Sequence, residues 1–209
     1  VLDPKWTEWD VPGTQTVDAS VDGRVTLIQP SSGGQTLMGI FQQAPADNTF
    51  TVTASVSLTS LYTGFNTAAL FVGEDLDAAP AAAAVQIVSM LTTATQWLVT
   101  SAVYTNYSVQ STSTNMDAPC GNEGYLRLFV DRTAQTVSSM VSVNGRDWLV
   151  LVTRSFAAGV WTSVETIGIC TNNFSAGDDT RGNFDMFRVD ITSDPYLPVG
   201  ARVATGPVV

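Results

Sequence analysis

The sequence contains no histidine, and that single gap removes a large part of enzyme chemistry. A Ser-His-Asp or Cys-His nucleophilic arrangement cannot be assembled, and the commonest transition-metal ligand is missing. Lysine is nearly absent as well: Lys5 stands alone beside eight scattered arginines, and the net charge is −10. A phosphate backbone or an anionic lipid surface would therefore meet repulsion, so neither nucleic acid nor membrane insertion is expected. Cysteine is limited to Cys120 and Cys170. Their spacing matches no metal motif, and they are either one disulfide or two buried thiols. Long apolar runs are missing too. The longest, Ala78–Met90 (AAPAAAAVQIVSM), is too short to span a bilayer and is interrupted by Pro80, Gln86 and Ser89. The opening VLDPKWTEWD has neither a basic n-region nor an apolar h-region, so no secretory leader is expected within it.

Charged residues make up only 13% of the chain, whereas apolar ones reach 44%. Thr, Ser, Val and Ala fill the difference, a composition that suits pleated sheets whose outer faces carry hydroxyls. The segment Phe50–Leu58 (FTVTASVSL) alternates without exception. Phe50, Val52, Ala54, Val56 and Leu58 share one face, and Thr51, Thr53, Ser55 and Ser57 the other. Comparable runs predict strands at Arg24–Gln29, Thr36–Phe41, Ala68–Val72, Ala84–Met90, Trp97–Tyr104 and Tyr125–Asp131. Four more follow at Thr136–Val143, Trp148–Thr153, Thr166–Thr171 and Asn183–Ile191. Asn144-Gly145 marks a hairpin because both residues tolerate positive φ, and Val21-Asp22-Gly23-Arg24 marks a tight turn. Amphipathic helix patterns are nearly absent. Pro80 and the β-branched residues after it make the alanine stretch a loop leading into a strand. About eleven strands with turns between them predict an all-β sandwich or barrel at 1–191. The remainder, 192–209 (TSDPYLPVGARVATGPVV), reads as an extended C-terminal tail, either disordered or laid across a partner subunit.

Three segments resemble a known family. Gly124–Trp148 (GYLRLFVDRTAQTVSSMVSVNGRDW) is similar to a recurring hairpin of concanavalin A-like domains, and ETIGICTNN…GNFDMFRVD resembles their closing strands. WTEWD…GRVTLIQPSSGGQTLMGIFQQAP resembles the opening of the same family, which includes accessory domains of bacterial β-xylosidases. The resemblance implies a two-sheet antiparallel jelly-roll sandwich. It leaves function open, because lectins, glucanases, glycosidase accessory modules, adhesion domains and phage virion proteins share that fold.

Glycoside hydrolysis needs two carboxylates facing one another across a cleft. Glucanases of this fold carry them as Glu-x-Asp-x-(x)-Glu on one strand, and no such pattern occurs here. Glu74, Asp75 and Asp77 fall in a loop, Glu165 stands alone, and Asp178 and Asp179 sit in the polar stretch SAGDDTRGN. The chain is therefore expected not to be an enzyme. Calcium needs only oxygen ligands, which makes Asp178, Asp179 and Asn183 a candidate set, with Glu74, Asp75 and Asp77 a second; an acidic turn is the plainer reading of each. No other cofactor is expected. Sugar binding relies on aromatic rings beside polar groups, and Trp97, Tyr104, Asn106 and Tyr107 are the richest combination. Strand parity nevertheless puts Trp97 and Tyr104 on opposite faces unless a bulge intervenes, and core packing of one ring is the stronger reading. Trp6 and Trp9 read as core or edge cover. Two functions follow as expectations. One is a non-catalytic structural or adhesion module of a virus particle, homo-oligomeric, holding other virion or self subunits and a surface glycan. The alternative is a carbohydrate-binding module of an extracellular glycosidase or adhesin. The location expected is virion or extracellular.

Overall fold

Strict alternation over Phe50–Leu58 becomes one long strand, and its apolar face lies at the centre of the molecule. A computed structural model describes residues 4–21, 23–31, 35–59, 65–93, 95–119, 121–156, 161–174 and 179–200. Fourteen strands and no helix occur among them: β1 (Thr7–Trp9), β2 (Thr16–Asp18), β3 (Val25–Gln29), β4 (Leu37–Gln43), β5 (Thr49–Thr59), β6 (Asn66–Gly73) and β7 (Val85–Thr92) come first. They are followed by β8 (Trp97–Asn106), β9 (Val109–Asp117), β10 (Glu123–Asp131), β11 (Thr136–Ser142), β12 (Leu149–Ser155), β13 (Thr166–Asn173) and β14 (Thr180–Asp190).

These strands form two antiparallel seven-stranded sheets. Sheet A runs β1-β4-β13-β6-β7-β8-β9, and sheet B runs β12-β11-β10-β5-β14-β3-β2. The expected jelly-roll sandwich is what the chain forms. Between the sheets lie Phe50, Val52, Ala54, Val56 and Leu58 of β5 with Leu126, Leu128 and Val130 of β10. Leu70, Val88, Val99 and Ile169 of sheet A face them. Each fully buried Val, Leu, Ile or Phe among them contributes about 1.5–3 kcal/mol of transfer free energy.

All eleven expected strands are present, and three further ones were not foreseen. β1 and β2 are only three residues long. β9 (VQSTSTNMD) carries almost no apolar residue, because it is an edge strand with nearly every position exposed. Without a buried face there is no period-two signal to read. The Asn144-Gly145 hairpin joins β11 to β12 through a longer turn than two residues. Only Gly145 takes positive φ, at 70°. The Asn144 side chain braces the turn instead, its Oδ1 accepting from the Arg146 and Asp147 amides at 2.9 and 3.0 Å. At the earlier turn Gly23 has φ 75°, and the Arg24 amide donates to the Val21 carbonyl at 3.1 Å.

Sheet A carries a second apolar layer on its outer face. Trp9, Leu37, Phe41, Phe71, Leu76, Ala83, Val85 and Tyr104 cluster there, roofed by the loop 74–84. That loop makes a single helical turn without becoming a helix: Ala83 donates to the Ala79 carbonyl at 2.9 Å. The Trp9 indole donates to the Pro80 carbonyl at 2.8 Å and clamps the roof. Covered on both sides, β6, β7 and β13 are buried at every position. β6 accordingly reads as a near-continuous apolar run (AALFV), while β7 and β13 also bury Gln86, Ser89, Thr171, Asn172 and Asn173.

Sheet B meets the C-terminal segment on its outer face. Residues 192–200 lie against their own chain, where a segment free or laid across a partner was expected. Pro195 and Leu197 give their carbonyls to Arg127, and the Val199 amide donates to the Gly145 carbonyl at 2.7 Å. A buried guanidinium requires acceptors, and the nearest backbone able to supply them is the chain's own. The last nine positions, 201–209, lie outside the described residues.

Candidate functional site

Small residues on the outer face of sheet A leave a depression beyond the edge of the loop roof. Antiparallel pairing aligns Cys170 with Ala69, Ala69 with Ser89, Ser89 with Thr100, and Thr100 with Asn115. That row of short side chains crosses β13, β6, β7, β8 and β9; Cys170 and Ala69 belong to the outer apolar layer, whereas Ser89, Thr100 and Asn115 line the depression. Strands are spaced about 4.8 Å apart, so the row is about 19 Å long. The groove over its β7–β9 part, bounded also by Thr67, Ile87, Leu91 and Ala102, encloses about 310 Å3, within the size range of small-ligand sites.

Phe65 and Phe174 stand at its rim. Asn66 of β6 pairs with Asn173 of β13, and the two phenylalanines flank that pair on the antiparallel strands. Their rings meet edge to face, with centroids 6.2 Å apart, and both remain about half exposed, at 55% and 45%. Exposed aromatic rings of this kind are available to a ligand rather than committed to packing.

Amides and a phenol build another side of the groove. The Gln35 side-chain amide donates to the Tyr104 hydroxyl at 3.1 Å and to the Gln110 Oε1 at 3.0 Å. The Thr36 backbone amide donates to the Asn172 Oδ1 at 2.9 Å, and the Thr100 hydroxyl to the Asn115 Oδ1 at 2.9 Å. Burial pushes the Tyr104 phenol above its ordinary value, and the nearby Cys170 thiol adds to the shift; hydrogen bonds with Gln35 and Asn172 oppose it. The Cys170 thiol, free and fully buried, is raised by the same desolvation. Thr67 is 5% exposed and faces the groove, and its hydroxyl oxygen has no hydrogen-bond partner. No side chain lining the groove among the described residues carries a formal charge.

The expected ligand residues are distributed differently. Trp97 packs against the core between the sheets, together with Val99 and Val103. Tyr104 lies on the opposite face and lines the groove, though at 2% exposure it supports the site and offers no free ring. Irregular pairing between β8 and β9 occurs only at Val103/Tyr104 and Tyr104/Asn106, too late to bring Trp97 round. Asn106 braces the β8–β9 turn, its Oδ1 accepting from the Ser108 and Val109 amides at 2.9 Å each. Tyr107 packs against the outer apolar layer, and its carbonyl accepts from the Leu37 amide at 2.7 Å. Of the four, only Tyr104 lines the groove.

Sequence reasoning missed Phe65, Phe174, Gln35, Gln110 and Thr67. One signal was present: Phe65-Asn66-Thr67 and Asn172-Asn173-Phe174 mirror one another at the ends of two apolar strands. Recognising it required knowing that β6 pairs with β13, strands about a hundred residues apart.

The acidic candidates serve the loops. Glu74 accepts from the Ala84 amide through Oε2 and from the Thr162 amide through Oε1, at 3.1 and 3.0 Å. Asp75 accepts from the Asp77 and Ala78 amides, and Asp77 from the Gln43 side chain. Asn183 lies on sheet B, where its Oδ1 accepts from the Thr26 hydroxyl at 2.9 Å and its amide donates to Ser57. Asp179 is exposed at the foot of β14, and Asp178 lies outside the described residues. Cys120, the other half of the disulfide alternative, also lies outside them. Among the described residues no group of three acidic or thiol side chains gathers closely enough to hold a metal ion.

No protein-family model matches the sequence. None of the curated proteins matches it either. Solved structures do. A functionally unknown protein from Saccharomyces cerevisiae superposes with TM-score 0.65 at 14% identity, over 91% of this chain and 98% of that one. The GH43 protein BlXynB from Bacillus licheniformis gives 0.66 at 12% identity, over 90% of this chain but only 37% of its own length. A legume lectin-like domain from Entamoeba histolytica gives 0.61 at 9% identity, over 91% of both chains. The two-sheet jelly-roll sandwich is shared with these structures, consistent with the concanavalin A-like resemblance, and at these identities the likeness concerns the fold alone.

Proposed function

We propose that this chain is a non-catalytic carbohydrate-binding module and that the groove on sheet A is where the sugar sits. The observation that carries the reading is the combination at one site of two exposed phenylalanine rings with several amide and hydroxyl groups. A pyranose presents apolar C–H faces and a fringe of hydroxyls, so it needs a flat apolar contact together with groups that both donate and accept hydrogen bonds. Fold likeness adds modest support: among the solved neighbours, a lectin from Bauhinia forficata was determined in complex with GalNAc. Glycoside hydrolysis would need paired carboxylates at the bound bond, and no carboxylate is among the described lining residues, which supports binding without turnover.

The virion-module reading drew on a C-terminal segment able to thread a neighbouring subunit. Residues 192–200 rest on their own sheet, and the groove is the observation that favours glycan binding. An adhesin on a particle surface or a module of an extracellular glycosidase would use the same groove in the same way.

The test is titration of the purified chain against a panel of polysaccharides, repeated with Phe65→Ala and Phe174→Ala. Binding that weakens at least about tenfold in each variant, with the thermal transition unchanged, is the expected result, since a lost stacking contact is worth about 1.4 kcal/mol or more. Wild-type binding to none of the panel, or variants that bind as well as wild type, would sink the proposal.

A further inference from the structure

Resting on that reading, we infer that the groove takes an uncharged glycan and that it does so without calcium. The residues facing the groove are aromatic, aliphatic, hydroxyl or amide, and no Asp, Glu, Lys or Arg is among those described. A uronate, sialate or sulfated sugar would bring an anion into a partly desolvated site with no cation to pair it. Such a group costs several kcal/mol unless it stays in water. The whole chain adds to that penalty, because its net charge of −10 repels polyanions before contact.

Calcium-dependent recognition would need carboxylate oxygens at the site, bridging the ion to sugar hydroxyls. The polar groups here are of another kind. Gln35, Gln110, Asn115 and Asn172 bring side-chain amides, which act as donors and acceptors at once, and each is held by a partner within the protein. Thr67 adds a hydroxyl to this lining. Its hydroxyl oxygen is buried without a hydrogen-bond partner just beneath the groove surface, and it meets a sugar hydroxyl when the side chain turns toward the groove. A threonine hydroxyl both gives and accepts one hydrogen bond, which matches a sugar hydroxyl and needs no ion between them.

Titration calorimetry of the full chain tests this with neutral glycans (arabinoxylan, glucomannan, galactan) against polygalacturonate, alginate and chondroitin sulfate, each in chelator and in added calcium. The expected result is binding confined to the neutral set, insensitive to chelator and to salt. Thr67→Val, which keeps the shape and removes the oxygen, should weaken that binding about tenfold without moving the thermal transition downward. Ser113→Lys, an exposed position on the groove edge, should create measurable affinity for polygalacturonate. Tighter binding of the acidic glycans, or loss of neutral binding in chelator, would overturn the inference while leaving a carbohydrate-binding module in place. Failure of every glycan to bind, or binding indifferent to both Thr67→Val and Phe65→Ala, would overturn the module reading and this inference with it.

Discussion

Arg127 places its guanidinium carbon 3.8 Å from the centre of the Trp148 ring. The two residues come from β10 and from the turn before β12, on the outer face of sheet B. Arg127 is 1% exposed, and its Nε donates to the Thr53 hydroxyl at 2.9 Å. Its Nη1 holds the carbonyls of Pro195 and Leu197 at 2.9 and 2.6 Å. Burial lowers its pKa to about 10, opposed by the Asp190 carboxylate. It is still a full cation at neutral pH, and its charge is satisfied by backbone oxygens and a ring rather than by water.

Removing that cation should release the C-terminal segment. Arg127→Ala leaves two carbonyls and a threonine hydroxyl without their donor, and a cost of about 3 kcal/mol is expected. Deleting residues 192–209 removes the same contacts from the other side. In a double-mutant cycle read by urea unfolding, the two changes should cost together clearly less than their sum. Simple additivity would show that Arg127 stabilises the sandwich by some route other than the segment.

Stability should fall on the alkaline side, and the sign follows from two buried groups. Cys170 and Tyr104 are both raised in the folded state by burial. Each favours folding fully while the unfolded chain also keeps its proton, below the ordinary thiol and phenol values of about 8.5 and 10. Above those values the unfolded state ionises first and the contribution is lost as pH rises. Urea midpoints should therefore decline first in the thiol range and then more steeply in the phenol range. With Cys120 replaced by serine, Cys170→Ala should delay the onset to the phenol range. An unchanged onset would contradict the buried thiol.

Gly168 allows no side chain. A Cβ there would stand 2.2 Å from the Ile40 carbonyl oxygen and 2.7 Å from the Phe71 ring. Gly168→Ala must push β4 away from β13 or displace Phe71, which also packs 5.3 Å from Trp9. A loss of about 3 kcal/mol or more, measured by thermal unfolding, is expected. A loss under about 1 kcal/mol would show that this part of sheet A yields far more easily than its packing implies.

Two aromatic residues should give opposite results. Trp97→Ala opens a gap beside the inter-sheet core and should cost about 2 kcal/mol of stability while leaving glycan affinity unchanged. Phe65→Ala, about half exposed with its ring edge to face on Phe174, should change stability by less than about 0.5 kcal/mol while weakening glycan binding. Loss of affinity in Trp97→Ala with stability preserved would return the site to the β8 aromatics.

Much of the sandwich was determined by local pattern alone. The period-two run at Phe50–Leu58 states its own face, because a strand turns successive side chains to opposite sides whatever it pairs with. Parity likewise separated Trp97 from Tyr104 without any structure. Absences were equally local, since no fold can supply an imidazole that the chain lacks. The groove was decided only by tertiary structure. Phe65 and Phe174 become neighbours because β6 pairs with β13. Thr51 and Thr53, on the hydroxyl face of β5, are completely buried, beneath a sheet face that the C-terminal segment crosses. Sequence specifies the period of each strand. Which strands meet, and what covers their outer faces, depends on contacts between distant segments that no local window contains.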